Sequence, residues 1–317
     1  MTECSFLPVF FETHQSRKYN KPAPEYENFD SIENIWLNFY EMGKYEIYHF
    51  LYAECKDLDH FKQWLIALKG SDFLIRASAN FQTWFVSKDN KGQNDGITHT
   101  ILSEEQLLFW ETQGYLKISG LVEDSLCDQV KELICSHMGV DLDNPATWYY
   151  ERQDMQGLML QLYQSKEIEA IRKHPHVFEL FAELYQTRNI IANTEKLGFN
   201  PPDTDFWQLK QTALHWDIDL NKPLGYYIQG MIYLDDVPAD RGAFSLVPGI
   251  HLQFEDWIKS FRNLEDAHIA MRAVLQAQPI AGDKGDIILW RHTLPHAAST
   301  NRSQLPRFVQ YLSFSKL

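Results

Sequence analysis

Cysteine is scarce. The 317 residues hold four, at Cys4, Cys55, Cys127 and Cys135, and none form a Cys-x-x-Cys pair. That excludes a disulfide framework, and free thiols point to a reducing compartment. No run of about 18 apolar residues occurs, so no membrane-spanning helix is expected. The opening MTECSFLPVFFETHQ has an early acid and no basic region, so it does not read as a secretory signal. Positive charge is in deficit: 29 Lys and Arg stand against 43 Asp and Glu, a formal charge of −14. A chain this anionic, with no basic patch, repels phosphate backbones and acidic lipid surfaces. Neither nucleic acid nor membrane is therefore expected as a partner. There is also no glycine-rich phosphate loop and no Gly-x-Ser-x-Gly elbow.

What is present is globular. Hydrophobic residues make up 44% and aromatics 14%, enough for a large packed core. The length suits about two domains. Residues 1–86 are expected to form a helical, aromatic-rich extension. There Ile32, Ile35, Trp36 and Phe39, then Leu58, Phe61, Trp64, Leu65 and Leu68, recur at three- and four-residue spacing, and Gly70 is placed to stop the second helix. The polar, turn-rich SKDNKGQNDGIT marks the boundary, giving a linker over 87–102. Beyond it, Ser103-Glu104-Glu105 caps a helix running to Gly114, followed by a short strand at 116–118 and helices over 121–138 and 176–184. From about Ile190 the texture changes to short strands separated by turn residues: 190–193, 212–219, 226–234, 244–247, 286–290 and 307–314. The fold class this predicts for 103–317 is mainly β with flanking helices, a double-stranded β-helix (a cupin-like jelly roll).

His215-Trp216-Asp217 lies in one of these expected strands. Side chains two apart on a strand share a face about 6.5–7 Å apart, so His215 and Asp217 can lean onto one metal ion while Trp216 points away. A His-x-acid pair alone is weak, because twelve histidines and 43 acids produce such matches by composition. The remainder of the set strengthens it. His296 follows about eighty residues later, just after a strand, and Arg307 comes eleven residues after that, behind Pro306. Two histidines and a carboxylate make the facial triad of non-heme Fe(II) oxygenases. An arginine nearby offers a planar fork to a carboxylate, which 2-oxoglutarate carries at its distal end.

At these residues the chain resembles the phytanoyl-CoA dioxygenase family. The likeness is carried by His215-Trp216-Asp217, by Gly242-Ala243-Phe244 leading to Val247-Pro248-Gly249-Ile250-His251, and by Gly285-Asp286. It continues through Leu294-Pro295-His296-Ala297-Ala298-Ser299-Thr300-Asn301, Ser303 and Pro306-Arg307. It covers about 103–317, opening with LSEEQLLFWETQGYLKI, and leaves 1–100 uncovered. The resemblance implies a jelly roll binding Fe(II) and 2-oxoglutarate and using O2, with His215, Asp217 and His296 as iron ligands and Arg307 as the anchor for the co-substrate's side carboxylate. One departure stands out. Ala297-Ala298 occupies the place where the family often has Gly-Ser, so a hydroxyl contact with the co-substrate either shifts to Ser299 or is lost. Retention of the carboxylate at Asp217 favours hydroxylation over halogenation. In the strand over 226–234, alternation puts Tyr227, Gln229, Met231 and Tyr233 on one face; Gln229 can donate to a carboxylate there or serve as a hydrogen-bonded core residue.

Other motifs read more plainly. His292 is four from His296, but Pro295 between them argues against a shared helix, leaving it a supporting or surface residue. His174 and His176 flank Pro175 at a helix start, and His251 belongs to a buttressing turn. The acidic stretch 235–240 lacks the frame of a calcium loop, and Cys127 and Cys135 are expected as core residues of one helix. The Asn301-Arg302-Ser303 sequon has no meaning without a secretory signal. The function expected is an Fe(II)/2-oxoglutarate-dependent dioxygenase hydroxylating an aliphatic C–H of a small-molecule substrate, with release of succinate and CO2. Two alternatives remain: a jelly-roll metalloenzyme that ignores 2-oxoglutarate, and a non-catalytic binding module on the same fold. A cytoplasmic location is expected, or a peroxisomal one should Ser315-Lys316-Leu317 serve as an address rather than as the end of a strand.

Overall fold

The computed structural model describes residues 6–87, 96–209, 213–219 and 224–317. Cys4, Thr212 and positions 88–95 of the expected linker lie outside the described residues. Two compact units result. The first comprises Met1–Asp95, Asn189–Thr194 and Ser315–Leu317; the second comprises Gly96–Arg188 and Glu195–Phe314.

The first unit is built from α1 (Phe6–Lys18), α2 (Phe29–Phe39), α3 (Lys44–His49), α4 (Leu58–Lys69) and α5 (Ser71–Ser87). The expected stripe on α2 faces inward, with Ile32, Ile35 and Trp36 buried. The Asp57 carboxylate caps α4 by accepting the His60 N–H at 2.8 Å, and Gly70 ends it at φ +79°, a conformation that side chains resist. Between the two expected helices, α3 passes into a π-helical turn at Phe50–Glu54. Phe6, Phe10, Trp36, Phe61 and Phe81 are wholly buried in one core, where truncating a phenylalanine costs about 3–5 kcal/mol. Leu317 N–H donates to Asn189 O at 2.9 Å and the Ser315 hydroxyl to Asn193 Oδ1 at 2.8 Å, so this tripeptide is paired as a strand end.

In the second unit α6 (Glu104–Gln113) opens with the expected capping box. Ser103 Oγ accepts the Gln106 N–H at 3.2 Å while the Gln106 side chain accepts the Ser103 N–H at 2.9 Å, and Gly114 closes the helix. Then come β1 (Tyr115–Ile118), α7 (Asp124–Met138), β2 (Met155–Gln156), β3 (Met159–Leu160), α8 (Lys166–Arg172) and α9 (Pro175–Tyr185). After β4 (Ile190–Ala192), which belongs to the first unit, follow β5 (Leu197–Asn200), β6 (Ile228–Tyr233) and β7 (Phe244–Leu246). An insertion, α10 (Phe254–Lys259) and α11 (Leu264–Val274), precedes β8 (Gln278–Pro279), β9 (Ile287–Arg291), β10 (His296–Ala298) and β11 (Arg307–Lys316).

The major sheet runs β1-β9-β6-β11-β5-β3-β2 and the minor sheet β10-β7-β8. One expectation needs correction. The segment around His215 is not a regular strand: among its described residues only His215 pairs, as an isolated bridge to His296. His296 follows strand β9 as expected and itself opens a short strand, β10.

Register fixes which side chains share the inner face. Ser313 lies opposite Gln229, Tyr311 opposite Met231 and Val309 opposite Tyr233, while Arg307 opens the same strand opposite Asn200. Because the side-chain period is two, Arg307, Val309, Tyr311 and Ser313 line one face with Gln229, Met231 and Tyr233.

Candidate active site

His296 enters the site from β10 and His215 from the bridge beside it. Their main chains exchange two hydrogen bonds, His215 N to His296 O at 3.0 Å and His296 N to His215 O at 2.9 Å. That pairing sets the rings 4.7 Å apart, centroid to centroid. Asp217 completes the group, with Oδ1 3.6 Å from His215 Nε2 and Oδ2 3.3 Å from His296 Nε2. The three ligand atoms lie within 4.8 Å of one another, the one such cluster of three or more among the described residues.

The tautomers follow from the neighbours. His215 Nδ1 faces the carbonyl of Ala213 at 3.0 Å, and His296 Nδ1 faces that of Leu294 at 3.1 Å. A carbonyl only accepts, so each Nδ1 carries the proton and each Nε2 turns a lone pair toward the shared point. Burial and the nearby His296 hold the His215 imidazole below its ordinary value, favouring the neutral ring that a metal needs. Burial alone would raise the Asp217 carboxyl. The contacts with His296 and with the amide of Gln229 outweigh it and keep the group well below the usual carboxylate range.

Gln229 is where alternation placed it, but its amide is spent on protein. Nε2 donates to Asp217 Oδ2 at 2.9 Å, and Oε1 accepts the Trp290 indole N–H at 3.1 Å. Trp290 in turn packs against Phe244 and His296, at centroid distances of 4.2 and 5.4 Å, which walls the His296 side of the cluster with apolar rings. Sequence reasoning missed Trp290, since one tryptophan in a buried strand carries no signal of what it touches. It also missed Lys196, whose Nζ sits 5.5 Å over the inward Tyr311 ring and 3.3 Å from Glu195 Oε2.

Arg307 is 1% exposed. Nη1 donates to Gly242 O at 2.7 Å, whereas Nε and Nη2 are buried with no hydrogen-bond partner. Gly242 is required for this: it sits at φ +62°, and a Cβ there would strike the Asn200 amide. A buried guanidinium with two unpaired donors in a fixed fork is costly unless an anion meets it, and a carboxylate fits that fork. The co-substrate's distal carboxylate therefore suits this pocket, and the neutral-imidazole and carboxylate donor set suits ferrous iron. Ser299 is bonded through its hydroxyl to Ser245, and its N–H donates to Ala243 O at 3.2 Å.

The remaining sequence candidates take structural roles. His292 Nδ1 lies 3.0 Å from Tyr227 O, and His251 Nε2 lies 3.0 Å from Glu111 O. His174 caps α9. Asp235 pairs with Lys131 at 2.6 Å and Arg241 at 2.9 Å, the environment of a fold contact and not of a calcium loop. Cys127 is buried in α7, where desolvation pushes its thiol up to about 12, unsuited to a nucleophile.

Residues 110–309 match the model of the family described as phytanoyl-CoA dioxygenase. A provisionally named phytanoyl-CoA dioxygenase of Dictyostelium discoideum is 22% identical over 258 residues, 64% of this chain and 73% of its own length. Among solved structures, the non-heme alpha-ketoglutarate-dependent carbocyclase SnoK from nogalamycin biosynthesis aligns with a TM-score of 0.51 at 21% identity, covering 69% of this chain and 87% of its own. EctD from S. alaskensis with bound Fe aligns with a TM-score of 0.51 at 14% identity, covering 71% and 79%. At these identities the structural likeness establishes the fold, the jelly roll expected from the strand pattern.

Proposed function

From the premise that this chain belongs to the phytanoyl-CoA dioxygenase family, we propose that His215, Asp217 and His296 hold its iron and that Arg307 anchors its 2-oxoglutarate. The protein is an oxidoreductase, a dioxygenase that works with Fe(II), 2-oxoglutarate and O2. When bound, iron and co-substrate supply the activation of dioxygen, with 2-oxoglutarate leaving as succinate and CO2. The protein's own part is to bind, aim and dry the site.

The single observation that carries the reading is the pair of unpaired N–H donors on buried Arg307, on the same inner face as the residue that bonds Asp217. A metalloenzyme that ignored 2-oxoglutarate would have no need of that fork. Ser299, beside Ser245 and close behind β10, is the hydroxyl we assign to the co-substrate's carboxylate. Gln229 serves the co-substrate indirectly: by fixing Asp217 Oδ2 it orients the carboxylate ligand, and Trp290 fixes Gln229.

For the substrate we propose a small molecule hydroxylated at an aliphatic C–H. The inner wall offers Met231 and Trp290 for apolar contact, and Tyr311 with the Lys196–Glu195 pair for a polar substituent. Fold likeness does not carry a substrate with it. A cytoplasmic location fits the free thiols of Cys55, Cys127 and Cys135. The test is release of labelled CO2 from 1-carbon-labelled 2-oxoglutarate by the iron-loaded protein without added substrate. Slow release that Asp217→Ala abolishes is expected; release that survives this change removes Asp217 from the ligand set.

A further inference from the structure

The segment carrying His215 and Asp217 has almost no ladder of its own. Among its described residues, 213–219, the strand pairing is the single bridge at His215. A ligand pair needs firmer placement than one bridge gives, because metal affinity depends on ligand orientation. Besides the Gln229 amide on Asp217, a further hold comes from the inserted helix α11 and from Thr293. The Trp216 N–H, between the two ligands, donates to His268 Nε2 at 3.2 Å. The Trp216 indole stacks on the His268 ring, with centroids 5.4 Å apart and planes at 21°, and its Nε1–H donates to Thr293 O at 2.8 Å. One turn along α11, Arg272 Nε donates to Leu214 O at 2.8 Å. Ala267 and Met271, fully buried, seat the helix in the same cluster as Trp216 and Phe254.

A peptide N–H only donates, so His268 Nε2 is the acceptor and Nδ1 carries the proton, toward Glu265 Oε2 at 3.9 Å. His268 is 8% exposed. Its burial and the adjacent Arg272 keep the imidazole below its ordinary value, in keeping with that acceptor role. Nothing else in the iron or 2-oxoglutarate reading uses this residue.

We infer that α11 is a clamp on the ligand-bearing segment and that His268 is its positioning residue, orienting the Trp216 peptide and so aiming His215 and Asp217 at a common point. This rests on the assignment of His215, Asp217 and His296 as the metal ligands. His268 touches neither metal nor substrate; it acts through Trp216.

The test uses the metal-free protein titrated with Co(II), read by its visible d–d band, alongside thermal melting without metal. His268→Leu keeps bulk but removes the acceptor, whereas His268→Gln places an amide oxygen near where Nε2 was. His268→Leu is expected to weaken Co(II) binding about 10–100-fold and to alter the band. His268→Gln is expected to restore most of the affinity and the wild-type band, with the two variants melting alike. Unchanged Co(II) affinity and spectrum in His268→Leu would overturn the clamp. So would equal losses in both variants that track their melting, since packing alone would then account for them. His296→Ala separates the two levels of the argument: if that variant keeps full Co(II) affinity, the ligand assignment fails and takes the clamp with it.

Discussion

In the helical unit, the buried His14 gives both ring nitrogens to protein partners. Nε2 lies 2.6 Å from Glu33 Oε1 and Nδ1 lies 3.0 Å from the Tyr52 hydroxyl, while the Tyr48 hydroxyl donates to the same Glu33 oxygen at 2.8 Å. In the jelly-roll unit, His215 and His296 each spend Nδ1 on a carbonyl and turn Nε2 to a shared point, and Arg307 leaves two of its donors unmet. Both clusters set ionisable groups among aromatic rings, although in the second Asp217 is exposed and only His296 and Arg307 are buried. The difference is closure. A buried polar cluster whose members answer one another stabilises a fold, and one whose strongest donors and lone pairs converge on nothing in the protein is built for a ligand. Glu183 gives the same lesson inside the jelly-roll unit: it is wholly buried, yet it accepts the N–H groups of Thr100, Ile101 and Leu102, and so it ties down a loop.

The contrast can be broken by experiment. Arg307→Ala should raise the 2-oxoglutarate concentration needed for half-maximal decarboxylation on the order of a thousandfold, taking two charge-assisted hydrogen bonds at about 2 kcal/mol each. Its affinity for iron should stay nearly unchanged. An unaltered co-substrate requirement would return Arg307 to the structural class. His14→Leu should do the reverse, costing about 3 kcal/mol of stability because Glu33 loses a buried partner. Denaturant unfolding would show that loss, and the 2-oxoglutarate requirement should not move. A His14 variant that changed co-substrate affinity would mean that the closed cluster is not merely structural. Gln229→Leu is the smallest and most pointed change. It should weaken metal binding about tenfold, since Asp217 loses its orienting amide. Calorimetric titration with Fe(II) under anaerobic conditions measures this, and an unchanged affinity would leave Gln229 as a core glutamine.

Much of the architecture was legible because local signals agreed with the tertiary outcome. Ser103 with Gln106, Gly70 and Gly114 marked helix ends by side-chain and backbone chemistry that needs no distant partner. Strands β6, β9 and β11 showed as short strand-like segments set off by turn residues. The His-x-Asp, His and Arg spacing brought the candidate site into view, and the structure gathers the first three of these residues at one point. Other features stayed hidden for physical reasons. The segment at 213–219 reads as a strand by composition, but it is held by side chains of α11 and not by a ladder. His296 opens a strand although Pro295 precedes it, because β10 needs only three residues to pair with β7. His268 lies on a helix whose buried face is Ala267 and Met271, too sparse a stripe to announce itself. Lys196 gains its place over Tyr311 from strand register, which no local window contains.

The most direct test of an iron centre completed by 2-oxoglutarate is anaerobic titration of the metal-free protein with Fe(II) and then 2-oxoglutarate, followed in the visible spectrum. The expected result is a weak charge-transfer band that requires both additions and is absent from His296→Ala. Iron binding in the wild-type protein with no band on adding 2-oxoglutarate would contradict it, and so would a band that persists in His296→Ala.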